Sequence, residues 1–408
     1  MHLLGVFNRD VFARDATAFS AKLGTHVNEP FVVGSDSRAG SLPFKLAAIS
    51  GLLSAGCNVA DIGVVPSPVV ARTAREEHIW GMHVSADPYP SNYVGIKTYN
   101  PSGRVWEGDL NGKPIKESRV GGMSQLDMVP NYISQILAEH EIEPMKVVVD
   151  CANGPMGNLM PPILRSLGCE VLELSISPSP SPVRGYEPTM SNLKDLGYMV
   201  SRTGADLGVA FDGSGSKVGF IAGQQFISSS RALGLLMKFN GSRRAVVDIG
   251  ASSVLDAVGY VDRMPASELA IASVLEERGF PVGGGTMGII FSDWSFAPDA
   301  VYLTMKIMGL ISDRGTKLKD LNESLPTYYE DAVMVKIPDG TGGLVIQTAS
   351  QQLANYELDL RDGVKAFVDD GWLWIKPMKN FVRIAAEAET PEKVRQYIKM
   401  AQDVLKTC

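Results

Sequence analysis

Long uncharged hydrophobic runs are missing from this 408-residue chain. No stretch approaches the roughly 20 apolar residues that a membrane span requires. The opening Met1-His-Leu-Leu-Gly-Val-Phe7 has neither the basic start nor the apolar run of an export signal. A cytoplasmic protein that does not engage a membrane is the expectation. Excess positive charge is missing too: 38 Lys and Arg stand against 45 Asp and Glu, for a net −7. That balance leaves no basic footprint for nucleic acid, and any phosphate recognition must be local. Cysteine is scarce, and Cys57, Cys151, Cys169 and Cys408 form no Cys-x-x-Cys pair. Neither a disulfide framework nor a zinc site is indicated, and Cys57 and Cys169 sit in apolar surroundings as small core residues do.

What the chain does have is the 45% hydrophobic and 20% charged content of a soluble globular protein, at a length that exceeds one ordinary core. Phe31-Val-Val-Gly-Ser-Asp-Ser-Arg38 reads as a strand and turn, followed by a helical run from Pro43 to Ala55 and then Gly56-Cys57-Asn-Val59. Lys146-Val-Val-Val-Asp150-Cys-Ala-Asn-Gly154 repeats that order, with a helix through Leu167 and the closure Gly168-Cys169-Glu-Val171. Arg244-Ala-Val-Val-Asp248 opens a third, weaker copy. Periodicity breaks near Glu141 to Met145, Asn240 to Arg243 and Pro326 to Asp331. These breaks divide the chain into three α/β domains in series (1–143, 144–241, 242–330) and a smaller α+β domain (331–408). In the last, Val364-Lys-Ala-Phe-Val368, Trp372-Leu-Trp-Ile-Lys376 and Val382-Arg-Ile-Ala-Ala-Glu387 read as strands. Helices are expected from Gly343 to Tyr356 and from Pro391 to Leu405. The Ser-Pro run from Ser177 to Pro182 lies inside the second unit and reads as a proline-stiffened loop.

One loop stands out. Leu207-Gly-Val-Ala-Phe-Asp212-Gly-Ser214-Gly-Ser216-Lys217 is a short apolar run that delivers an Asp and alternating glycines. It reads as a buried strand with a loop at its C-terminal end, where open α/β sheets place ligands. The loop resembles the metal-binding Asp-Gly-Asp-Gly-Asp-Arg loop of the α-D-phosphohexomutases, the family of phosphomannomutases, phosphoglucomutases and phosphoglucosamine mutases. The resemblance runs through almost the whole chain. It implies four domains around a central cleft, a phosphoserine that exchanges its phosphoryl group with a sugar phosphate or bisphosphate, and a Mg²⁺ ion.

Each family motif is met and altered. His83-Val-Ser85-Ala86-Asp87-Pro88 is similar to Thr-Ala-Ser-His-Asn-Pro, which makes Ser85 the implied nucleophile and sets a carboxylate, Asp87, beside it. Asn92-Tyr-Val-Gly95-Ile-Lys97 resembles Tyr-Asn-Gly-Ile-Lys and makes Lys97 the implied acid/base, although a solvated surface lysine is the alternative. Asp36 and Arg38 match Arg-Asp-x-Arg, with Ser35 in the first arginine's place; Arg38 would orient the serine loop or simply pair with Asp36. Asp212 remains as the one acidic metal ligand, or as a turn cap. With Ser214 and Ser216 at the other two places, Mg²⁺ is expected to bind weakly. Lys217 stands where the family has Arg or Lys.

Val282-Gly-Gly284-Gly285-Thr286-Met287-Gly288 keeps the glycines of the sugar loop Gly-Gly-Glu-x-Ser-Gly but not its Glu and Ser, leaving Gly284 and Thr286 as candidates. Lys376-Pro-Met-Lys379-Asn-Phe-Val-Arg383 corresponds to the phosphate loop Arg-Pro-Ser-Gly-Thr-Glu-Pro and is about two residues shorter; Lys376, Lys379 and Arg383 are its candidate phosphate ligands. Two functions stay open: an enzyme or sugar-phosphate binder using Ser85 and Lys97, or a non-catalytic relative serving as a regulatory or structural subunit. Trp294, Trp372 or an apolar edge of the first domain would suit a homo- or hetero-oligomer interface, although such residues more often pack inside.

Overall fold

The computed structural model describes residues 2–110, 120–241 and 243–407, so Met1, Ser242 in the second break, and Cys408 lie outside the described residues. Among these residues the strands form four sheets. The first three share one plan. In the first, Phe31–Ser35 is the central strand, with Val59–Val64 parallel on one side, Trp80–Val84 parallel on the other, and Tyr93–Tyr99 then antiparallel. In the second, Lys146–Asp150 takes the centre, flanked in parallel by Glu170–Leu174 and Leu207–Phe211, with Val218–Ala222 antiparallel beyond. Arg244–Asp248 does the same between Tyr260–Met264 and Val282–Gly285, with Gly288–Phe291 as the antiparallel edge.

A common turn explains the shared strand signature. Each central strand is a β-branched apolar run that suits burial on both faces, and it ends in or just before an Asp. The Oδ1 of Asp36, Asp150 and Asp248 accepts the backbone N–H two residues on, from Arg38, Ala152 and Gly250, at 3.1, 3.0 and 3.0 Å. This side-chain turn halts the strand and opens the loop at its C-terminal end. The first helix of the repeat spans Ser41–Ser54, two residues ahead of the Pro43 start expected from sequence, and its first residue, Ser41, bonds Asp36 through its hydroxyl.

The fourth sheet is antiparallel, in the order Tyr329–Lys336, Phe381–Ala388, Gly371–Met378, Val364–Val368, Glu357–Asp359. Helices Gly342–Gln352 and Pro391–Leu405 pack on it through Val345, Ala349, Val394, Tyr397 and Ala401. It meets the first unit directly: Phe381 packs edge-on against Tyr89 and Tyr93, with ring centroids 5.8 Å away in both cases. Asn380 Nδ2 donates to the Tyr93 hydroxyl at 2.6 Å.

Trp294 and Trp372 offer no interface, because both are buried. Trp294 stacks on Tyr302 at 4.6 Å and donates to Asp299 at 2.7 Å, while Trp372 donates to Glu387 at 2.9 Å. The Ser-Pro run is held in place, with Ser179 N–H donating to the Asn153 carbonyl at 2.8 Å. Cys57, Cys151 and Cys169 are buried free thiols. No helix among the described residues is long and apolar enough to cross a membrane.

Candidate active site

Ser85 leaves the end of strand Trp80–Val84 and is buried. Its Oγ donates to Asp36 Oδ2 at 2.7 Å, so the serine has a carboxylate already positioned to take its proton. Arg38 holds this arrangement. Its Nε lies 2.9 Å from Asp36 Oδ2, its Nη1 donates to the carbonyls of Tyr89 and Pro90 at 2.8 and 2.9 Å, and its guanidinium lies 4.3 Å over the Tyr186 ring. Both alternatives read from sequence thus hold at once: Arg38 pairs with Asp36 and also clamps the chain after Ser85. His83 lies beneath, bonded to the Val65 carbonyl at 2.9 Å, and burial pushes its pKa down to about 4.

Asp212 follows strand Leu207–Phe211 and is fully buried. Its Oδ1 accepts the N–H groups of Ser216 and Lys217 at 2.8 and 3.1 Å, and its Oδ2 accepts the Ser214 hydroxyl at 3.0 Å. The turn-capping role is therefore real. A chain of hydroxyls continues from Ser214 to Ser216 and on to Ser67, each step 2.9 Å. Near this loop is Asp87; burial first, and then the Asp212 carboxylate, raise its pKa well above the usual carboxylate range.

Lys97 projects from strand Tyr93–Tyr99 and donates to Glu268 Oε1 at 2.7 Å. It is not a solvated surface lysine: only 14% of its side chain is exposed. Burial alone would lower its pKa, but the adjacent Glu268 carboxylate outweighs burial and raises it, so the ammonium form dominates. Glu268 opens helix Glu268–Arg278 in the third unit. Sequence reasoning missed it; Ser267-Glu268 signals a helix start and nothing about a lysine 171 residues away.

The distal candidates are placed differently. Strands Val282–Gly285 and Gly288–Phe291 pair up to Gly285 and Gly288, so Thr286 and Met287 form a two-residue turn. Thr286 N–H and Oγ1 both donate to Asp248, at 2.7 and 3.0 Å, which turns its hydroxyl inward. Gly284 and Gly285 have φ of 128° and 137°, and a Cβ on Gly285 would lie 2.7 Å from Asp248 Oδ2. A glutamate at 285 does not fit this backbone. The phosphate loop is likewise a hairpin turn of Lys379 and Asn380, between paired Met378 and Phe381.

Its three cations are all engaged. Lys376 donates to Asp362 at 2.7 Å, Lys379 donates to the Leu4 carbonyl, and Arg383 makes a two-oxygen contact with Glu187. Lys217 joins the same Glu187 at 3.2 Å. Burial would raise the Glu187 pKa, but Arg383 and Lys217 bring it down to about 2. Of the distal candidates, Lys217, Thr286 and Arg383 line one small cavity with Glu187, Glu330 and Ser228. Lys376 and Lys379 are not among its lining residues. Nothing local in the sequence marks Glu187 as the carboxylate that neutralises Arg383 and Lys217.

Residues 4–113 match the family model described as phosphoglucomutase/phosphomannomutase, alpha/beta/alpha domain I, and residues 127–225 match domain II of the same family. A Methanothermobacter thermautotrophicus protein named "Probable phosphoglucosamine mutase" is 31% identical over 91% of this chain and 89% of its own length. The chain belongs to this phosphohexomutase family. A "Phosphoglucomutase/phosphomannomutase" of Thermococcus kodakarensis is 29% identical, across 98% of this chain and 97% of the relative. The crystal structure of a phosphoglucomutase/phosphomannomutase family protein from Burkholderia thailandensis superposes with a TM-score of 0.81, covering 99% of this chain and 95% of that one at 22% identity, and shares the fold.

The domain II match begins at residue 127, within the segment that sequence places at the end of the first unit. Helix Val129–Ala138 lies between units: its Gln135 bonds Arg72 and Glu76 of helix Ser67–Glu76, and its Tyr132 donates to Asp299 at 2.6 Å. At the other end, strand Tyr329–Lys336 of the fourth sheet straddles the break placed after residue 330.

Proposed function

We propose that this phosphohexomutase-family chain accepts a phosphoryl group from a sugar phosphate or bisphosphate on Ser85, and that its distal recognition walls are too reduced for ordinary mutase turnover. The observation that carries this reading is the 2.7 Å contact of Ser85 Oγ with Asp36, held by Arg38, with Lys97 of the neighbouring strand kept as an ammonium. On this reading Ser85 Oγ bonds to the donor phosphorus as the bond from phosphorus to the sugar oxygen breaks. The serine proton passes to Asp36, and the leaving sugar oxygen takes a proton from the Lys97 ammonium. The units 1–143, 144–241, 242–330 and 331–408 then carry the serine, metal, sugar and phosphate loops around a central cleft.

The oxygen-only donor set of Asp212, Ser214 and Ser216, with Asp87 nearby, fits a hard cation such as Mg²⁺. Such an ion would offset the charge of a phosphoryl group on Ser85. Intact mass after incubation with glucose 1,6-bisphosphate and Mg²⁺ tests the reading: one phosphoryl adduct is expected, absent in Ser85→Ala. No adduct on the folded wild-type protein would refute it.

A second reading, a non-catalytic subunit, is favoured by one observation: Lys376, Lys379, Lys217 and Arg383 are all bound by the chain's own acceptors. It calls for no adduct and no turnover of glucose, mannose or glucosamine phosphates in a coupled assay.

A further inference from the structure

The two oxygens of Asp36 are held differently. Oδ1 is fixed locally, accepting the Arg38 N–H at 3.1 Å and the Ser41 hydroxyl at 2.5 Å. Oδ2 is shared: it takes the Ser85 hydroxyl at 2.7 Å while Arg38 Nε stands 2.9 Å away. The position of the guanidinium therefore sets the charge at the oxygen that holds the nucleophile. One edge of that guanidinium is tied to the Tyr89 and Pro90 carbonyls, at 2.8 and 2.9 Å. Its face is covered from another unit, by the Tyr186 ring at 4.3 Å. Tyr186 is itself buried, and its hydroxyl has no hydrogen-bond partner among the described residues. The face of the ring, not its polar tip, makes the contact.

The ring is wedged. A Cβ on Gly213 would lie 2.4 Å from Tyr186 Cδ1, so the loop after strand Leu207–Phe211 closes against the same side chain. The backbone that carries the ring is fixed separately, because Arg184, bonded to Asp150 at 2.7 Å and to the Phe211 carbonyl at 2.8 Å, also donates to the Tyr186 carbonyl at 3.3 Å. Asn192 donates to the next carbonyl, that of Glu187, at 2.9 Å. Truncating the ring would leave this segment in place and uncover the guanidinium. We infer that Tyr186 is a positioning residue for Ser85: its ring, delivered by the second unit, holds Arg38 in the plane that presents Nε to Asp36. The surroundings of the nucleophile are thus completed from outside the first unit. The kinetic consequence rests on Ser85 as phosphoryl acceptor, whereas the placement of Arg38 can be read without any phosphoryl donor.

The ¹H–¹⁵N resonance of Arg38 Nε–Hε in the full chain, assigned by its loss in Arg38→Lys, reports the stacking through the ring current of Tyr186. It should move in Tyr186→Leu and stay in place in Tyr186→Phe. Far-UV circular dichroism and a cooperative urea transition check that Tyr186→Leu is folded, and Tyr186→Met, of similar reach but without a ring, serves the same comparison if it is not. With glucose 1,6-bisphosphate and Mg²⁺, Tyr186→Leu should form the Ser85 adduct about 10-fold more slowly, and Tyr186→Phe should restore the wild-type rate. An unmoved Arg38 resonance in the folded ringless variant, or an adduct formed as fast as in wild type, would overturn the inference. So would Tyr186→Phe as slow as Tyr186→Leu, since the hydroxyl would then be the acting group. No adduct on the wild type would refute the proposed function instead, and the Arg38 resonance alone would decide whether Tyr186 places the guanidinium.

Discussion

Two groups of polar side chains, one at Ser85 and one at Glu187, are organised differently. At Ser85, Asp36 accepts the hydroxyl and Arg38 pairs with Asp36, while Lys97 on the neighbouring strand is held by Glu268. At the distal loops the polar groups bind one another. Glu187 takes Arg383 and Lys217, Asp248 takes Thr286, and Asp362 takes Lys376. The sugar and phosphate loops both end as two-residue turns, the tightest closure available to paired strands. The same fold therefore carries a serine held by a carboxylate and, separately, cations neutralised by the chain's own acidic side chains.

The sharpest way to break this contrast is at Ser85. Asp36→Asn should slow Ser85 phosphorylation by about 10²–10⁴-fold, read from the time course of the adduct. A rate equal to wild type would strip Asp36 of its role as base. At the distal loops the expected effect is on stability rather than rate. Glu187→Gln leaves Arg383 and Lys217 buried without their carboxylate, and urea unfolding at pH 7 should show a loss of about 3–5 kcal/mol. Inorganic phosphate should restore part of that loss if the two cations become an anion site once released.

Smaller again is Gly285→Glu, which returns the acidic residue of the family's sugar loop. With φ at 137° and Asp248 Oδ2 only 2.7 Å from the new Cβ, it should cost about 1–3 kcal/mol and gain no sugar-phosphate binding. A pH-dependent effect concerns Glu330, which lines the cavity. Burial, and next the Glu387 charge, push its pKa from 4.5 up to about 7, against the opposing pull of Ser228 and Arg231. The folded state therefore holds this proton more tightly than the unfolded state. Its contribution is fully present below pH 4.5 and is lost as pH rises to about 7. Melting temperatures of Glu330→Gln and wild type across that window should diverge, with the variant declining less.

The repeated units were open to reading because each is announced locally. Val32-Val33, Val147-Val148-Val149 and Val246-Val247 mark central strands, and Asp36, Asp150 and Asp248 mark their ends. The tail was legible for the same reason, although its first helix stops at Gln352, short of Tyr356. The site residues Ser85, Lys97 and Asp212 could be found through their loops. Their partners could not, because Glu268 meets Lys97 across 171 residues and Glu187 meets Arg383 across 196. Such pairs exist only once separate sheets have docked, and no local pattern encodes them. Asp87 shows the same limit in reverse: read beside Ser85 it is a repulsive charge, and only the packing of two loops brings it near Asp212.

The contact between Lys379 and the Leu4 carbonyl joins positions 375 residues apart, and the aromatic faces of Tyr89 and Tyr93 are covered by Phe381 from the same hairpin. During synthesis, a nascent chain that has completed its first three sheets still lacks this cover. Until the last strands leave the ribosome those rings are exposed to water and to other chains, so this corner of the molecule is where aggregation during translation would begin.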